Sequence, residues 1–154
     1  MHRYPLHLAV GGHVNFRHWW IWGFAPTGKD AEGTMQPQAS SQALDLLMKQ
    51  RPDAIKQADQ QGLLPIHCAA FYNNVDAVRR LLAHDRSLAW EQVKSQGKRQ
   101  PYEGCLPIHW AAFGGAEAVC DELLALDPTL RTAQGAYEGN YENWENGKGS
   151  CIEP

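Results

Sequence analysis

The chain has 154 residues, 44% of them apolar, and a formal charge of −3. That length allows one ordinary domain or a short repeat array, and the apolar share argues against a disordered chain. The small negative charge argues against nucleic acid or an anionic membrane as the main target, since either asks for a clear basic excess.

No apolar run approaches the ~18 residues that would span a bilayer. The start, MHRYPLHLAVGG, lacks a basic segment leading into a long apolar one. Cys68, Cys105, Cys120 and Cys151 form no CxxC pair and match no common zinc spacing. They read as reduced thiols of an intracellular protein, expected in the cytoplasm with the nucleus left open.

In chain order, the first apolar element is YPLHLAV at Tyr4–Val10, followed by NFRHWWIWGF, which crowds Trp19, Trp20, Trp22 and Phe24 together. ALDLLMKQRPDA comes next, at Ala43–Ala54. LLPIHCAAF follows at Leu63–Phe71; its proline suits the first turn of a helix because it has no N–H to leave unpaired. NVDAVRRLLAHD, at Asn74–Asp85, spaces Val75, Val78, Leu81 and Leu82 along one helical face, with Asp76, Arg79 and Arg80 on the other. CLPIHWAAF at Cys105–Phe113 then repeats the earlier stretch in register, and Leu123, Leu124 and Asp127 repeat Leu81, Leu82 and Asp85. Two short helices cannot close a core alone, so each unit has to stack on copies of itself.

PIHCAA and PIHWAA, each followed after about ten residues by a Leu-Leu pair, resemble the ankyrin repeat with its T-P-L-H-x-A-A signature. By that resemblance YPLHLAV is a third copy and ALDLLMKQRPDA its second helix, with Leu44, Leu47 and Met48 in the places of Val78, Leu81 and Leu82. From Pro65 to Leu81 is 16 residues and from Leu47 to Pro65 is 18, so an uninterrupted unit is 34 long. The family's period is about 33. The implied fold is all-α, a solenoid of stacked helix–turn–helix units with long finger loops. The implied divisions are a first repeat over 1–62 with an inter-helix insertion at about 14–40, a second over 63–104 with a lengthened finger, and a third over 105–135. A long acidic and aromatic finger over 136–154 then leads toward a further repeat.

The chain departs from the family in two ways. The threonine before Pro-Leu-His is replaced by Tyr4, Leu64 and Leu106, so the hydroxyl that bonds the motif histidine in the family is missing. His7, His67 and His109 are expected to bond a backbone group of an adjacent turn instead. Recurring at one place in each unit, they read as structural groups and not as metal ligands or bases.

The second departure is insertion. Pro5 to Leu47 spans 42 residues against 16 in the second unit, and Leu81 to Pro107 spans 26 against 18. The Trp-rich insert reads as a cap over the open end of the stack, with a recognition loop as the alternative. The second finger carries Lys94, Lys98 and Arg99, whereas the third carries Glu138, Glu142 and Glu145 beside Tyr137, Tyr141 and Trp144. The closing GKGSCIEP is similar to the approach to another repeat, so a piece of a longer array is expected. Three repeats are near the minimum that holds together, which implies modest stability and an exposed outer face on the third repeat unless more chain follows.

No nucleophile–base pair, phosphate loop or paired carboxylates occur at a spacing that chemistry needs. His13 and His18, five apart beside the tryptophans, admit a metal site, but two histidines alone do not make one. No catalytic residue, cofactor or metal is expected. The resemblance implies a non-catalytic protein–protein interaction module, a scaffold or adaptor. It would be a monomer that binds an unknown protein partner on its concave face and finger tips, and neither nucleic acid nor membrane.

The candidate contacts are Gln60, Gln61, Leu63, Phe71 and Tyr72 in the second repeat, and Tyr102, Glu103, Cys105 and Phe113 in the third. Phe71 and Phe113 also admit a packing role. Changing Tyr72 and Tyr102 to Ala is expected to weaken binding and leave the melting curve nearly unchanged, whereas Leu81→Ala should cost ~2–5 kcal/mol. The alternatives are the targeting array of a larger enzyme and a purely structural spacer.

Overall fold

The computed structural model describes residues 5–10, 41–94 and 103–134. The Trp19, Trp20 and Trp22 insert, the pair His13 and His18, Tyr102 and the acidic finger lie outside them.

Among the described residues six α-helices follow one another: α1 (Pro5–Val10), α2 (Ser41–Gln50), α3 (Pro65–Phe71), α4 (Val75–His84), α5 (Pro107–Phe113) and α6 (Glu117–Leu126). The helices α2, α4 and α6 each run into a short 3-10 turn, at Pro52–Lys56, Arg86–Trp90 and Pro128–Thr132. No strand occurs among the described residues. The short helices form an inner layer, α1 on α3 on α5, and the long ones an outer layer, α2 on α4 on α6. Within each pair the inner helix packs on the outer one, giving the stacked all-α helix–turn–helix architecture.

Local chemistry explains where these helices start. Pro65 and Pro107 occupy first-turn positions, preceded by Leu64 and Leu106 in extended conformation. A leucine cannot cap a helix N-terminus with a side-chain oxygen. The imidazole three residues on reaches back instead: His67 Nδ1 accepts from the Leu64 N–H at 3.0 Å, and His109 Nδ1 from the Leu106 N–H at 2.9 Å. This is the returning half of a capping box, its other half lost with the threonine hydroxyl.

The turn into α4 has Asn73 at φ 55, and the matching turn into α6 has Gly115 at φ 66. Asn74 caps α4, its Oδ1 accepting from the Ala77 N–H at 3.1 Å, and its Nδ2 donates to the Val10 carbonyl at 3.0 Å. The corresponding Ala116 supplies no cap to α6.

Small residues set the spacing of the inner layer. Ala69, Ala70 and Ala111 are wholly buried, and a Cβ on Gly114 would stand 2.2 Å from the Phe71 carbonyl oxygen. A side chain there would push α5 off α3. The outer helices bury one stripe each: Leu44 and Met48 on α2, Val78, Leu81 and Leu82 on α4, Val119 and Leu123 on α6. Leu88 and Leu130, from the second and third 3-10 turns, complete this core.

Candidate partner-binding surface

Two fingers join the outer helix of one unit to the inner helix of the next. In the first, Asp59 makes the turn: its Oδ1 accepts from the N–H groups of Gln61 (2.8 Å) and Leu63 (3.0 Å), and its own N–H donates to the Leu63 carbonyl at 2.9 Å. Gly62 follows at φ +82, a left-handed conformation open to glycine at little cost. A Cβ on Gly62 would also fall 1.9 Å from the Lys94 carbonyl oxygen, so the two fingers abut there. The second finger closes in the same way, the Val93 N–H donating to Cys105 O at 3.0 Å and the Gly104 N–H to Val93 O at 2.8 Å. The closing residues are four apart in the first finger, Asp59 and Leu63, and twelve apart in the second, Val93 and Cys105. The extra length is therefore confined beyond a fixed base.

Each motif histidine ties its repeat to the segment that follows. His67 Nε2 donates to Glu91 O at 3.0 Å and His109 Nε2 to Ala133 O at 2.9 Å, both 24 residues on, while His7 Nε2 donates to Leu63 O at 2.8 Å. The expected backbone partner is found in all three. Burial, which disfavours the charged ring, lowers the pKa of each and takes His67 to about 4. Geometry agrees for His67 and His109, since an imidazolium would present a second proton to the N–H of Leu64 or Leu106.

The eight candidate contacts among the described residues separate by burial. Gln60 is exposed at the first finger tip, and Gln61, Glu103, Cys105 and Phe113 are half-buried. Leu63, Phe71 and Tyr72 are 0%, 3% and 8% exposed and belong to the core, so the expectation that they offer contact surface is corrected. The reason is stacking: the Phe71 ring packs edge-on to Tyr72 at 5.0 Å and to Trp110 at 6.1 Å, with Phe113 at 6.2 Å. Burial pushes the Tyr72 phenol up to about 12. Tyr72→Ala would thus disturb the fold, contrary to expectation.

Two tryptophans that sequence reasoning left out also matter. Trp110 packs on both Phe71 and Phe113 in this aromatic cluster, at 6.1 Å from each, and its place between the motif histidine and the alanine pair was the available signal. Trp90 is 44% exposed on the second 3-10 turn and donates through Nε1 to Asp127 Oδ2 at 3.1 Å, joining two outer segments.

Charge on the outer face is largely paired with itself. Arg80 bridges Asp45 and Asp76, Arg79 pairs with Glu122, and Ser41 Oγ donates to Asp76 at 2.7 Å. The Ser41 hydroxyl first, and Arg80 second, hold the Asp76 carboxyl below its ordinary range. Among the described residues no group of three His, Cys, Asp or Glu side chains is placed to hold a metal ion. Nor is any described helix long and apolar enough to cross a membrane.

A family model described as ankyrin repeats, three copies, matches residues 36–132, more than half of the chain. The chain belongs to the ankyrin-repeat family. Among curated proteins no individual relative matches it. Ankyrin repeats are in general protein–protein interaction modules and are typically non-catalytic. The matched span begins after α1, which nevertheless packs on α3 in the position of an inner ankyrin helix.

Proposed function

We propose that this ankyrin array is a non-catalytic scaffold or adaptor that takes a partner protein along its finger edge. The second finger contributes most, and the array works inside the cell as a monomer. The observation that carries this reading is the pair of hydrogen bonds between Val93 and the Gly104–Cys105 segment. A long loop held at a rigid base offers contact residues at lower entropic cost than an unsupported one. Gln60 and Glu103 flank that base, and the opposite, outer face has much of its charge engaged internally. Leu63, Phe71 and Tyr72 act beneath this edge as support. The thiols of Cys68 and Cys120 are pushed up by burial and so are poorly reactive, which suits a reducing compartment.

The test is site-specific photo-crosslinking from within cells. Benzoylphenylalanine at Gln60 or Glu103 should give one discrete adduct band, and the same group at the exposed outer-face residue Ala83 should give none. Adducts from Ala83 alone would sink the finger-edge reading.

A further inference from the structure

The outer helices are linked by a charge ladder with a fixed step. Aligned on Leu47, Leu81 and Leu123, one position reads Asp45 in α2, Arg79 in α4 and Asp121 in α6, and the position after it reads Leu46, Arg80 and Glu122. Each described ion pair between outer helices joins the first position of one repeat to the second position of the next: Asp45 to Arg80, and Arg79 to Glu122. Asp121 is the open end of this ladder, exposed and without an ion pair among the described residues. Beside it Phe113, Cys120 and Leu124 are half-buried, whereas Phe71, Val78 and Leu82, their counterparts one repeat earlier, are buried under α5 and α6. An apolar helix face with a charge at its rim has the anatomy of a docking surface for another helix. The ladder adds the sign of the charge that would complete it.

We propose that this flank of α5 and α6 docks an amphipathic helix of a partner protein that sets an arginine or lysine against Asp121, on a surface separate from the finger edge. Helix α4 shows the required pattern, since it meets the same aspartate position in α2 with Arg80 directly before the buried Leu81. The apolar stripe supplies most of the affinity and the cation fixes the register. Two other occupants match the ladder less well. A second copy stacked head to tail would bring α2, whose residue at the Arg80 position is the uncharged Leu46. The chain's own residues 135–154 carry four glutamates and one lysine, so they would bring mainly like charge to Asp121 and to Glu117, one turn before it.

The probe is a fluorescent copy of residues 74–85, the α4 sequence, held helical by a hydrocarbon staple through positions 79 and 83, both exposed in the chain. Anisotropy with the full chain should show saturable binding. Asp121→Lys in the chain should weaken it at least about threefold with the melting curve unchanged, and Leu124→Asp at least about tenfold. A peptide carrying Arg80→Glu should bind the native chain at least about threefold more weakly and recover on the Asp121→Lys chain. Asp53→Lys, an exposed charge reversal on the first 3-10 turn, should change nothing. The proposal is overturned if the peptide is not bound at millimolar concentration, which is also the result if residues 135–154 occupy the flank, or if binding ignores the charge at position 121. It is equally overturned if light scattering shows the chain associating with itself in a way that Asp121→Lys abolishes.

Discussion

The helix pairs of the second and third repeats align without a gap 42 positions apart, yet their outer flanks differ. Ala70, Phe71, Val78 and Leu82 are buried, while their counterparts Ala112, Phe113, Cys120 and Leu124 are only half-buried. For three of these four pairs sequence does not cause the difference, since Ala-Phe is followed by Ala-Phe and Leu by Leu; only Val78 is replaced, by Cys120. The second repeat has α5 and α6 laid against it, and the third has no such helix pair on that flank among the described residues. Burial here is conferred by the neighbour, and the value of one side chain changes with its place in the stack.

The widest gap should appear on truncating the two phenylalanines. Phe71→Ala is expected to cost ~3–5 kcal/mol, the range for a buried aromatic, and Phe113→Ala less than half of that, measured by urea denaturation. Equal losses would mean that the third repeat's flank is covered in solution. Acid gives the next largest effect. His67 has a folded pKa of about 4 against 6.5 for an unfolded histidine, so the unfolded chain binds more protons between these values. Stability from this residue is complete above pH 6.5 and is lost as pH falls toward 4, by roughly 3 kcal/mol at 1.36 kcal/mol per unit. Denaturation midpoints at pH 7, 5.5 and 4.5 would reveal it, and a flat profile would contradict it.

Helix capping provides a smaller and two-sided comparison. Asn74→Ala should cost ~1–2 kcal/mol because it removes the cap of α4 together with the bond to Val10. Ala116→Asn should lose stability instead of gaining it, because the Val119 N–H that it would cap already donates to Asn73 Oδ1 at 3.3 Å and Ala116 is buried. Thermal melts of both variants check the sign. The smallest effect belongs to Arg80→Gln. It breaks the exposed pairs with Asp45 and Asp76 and should shift the melting temperature only slightly, by an amount that disappears in high salt.

What could be read in the sequence follows the same division. Pro65 with Pro107, His67 with His109 and Leu81 with Leu123 announced the helix pairs and the ankyrin family, because each acts through its own turn or its own repeat. The backbone partners of the histidines could be anticipated because a buried ring nitrogen must bond something and the usual hydroxyl was absent. The contact surface was harder to read. Leu63, Phe71 and Tyr72 lie outside the repeat motif and so passed for surface, but the Phe71 ring packs on Trp110 arriving from the next unit and Leu63 is bonded by His7 of the one before. A motif records what a repeat needs for itself and carries little about what the adjacent repeat covers.

The forward-reaching histidine bonds also set a timetable for synthesis. At about 5–20 residues per second, the carbonyl that His67 needs leaves the ribosome 24 residues after the ring does, a wait of roughly 1–5 s. His7 waits for Leu63, 56 residues later, and so for more than twice as long. The nascent chain must therefore carry its first inner helix unlatched while the rest of that repeat is still being made, and only the arrival of the second repeat locks the first.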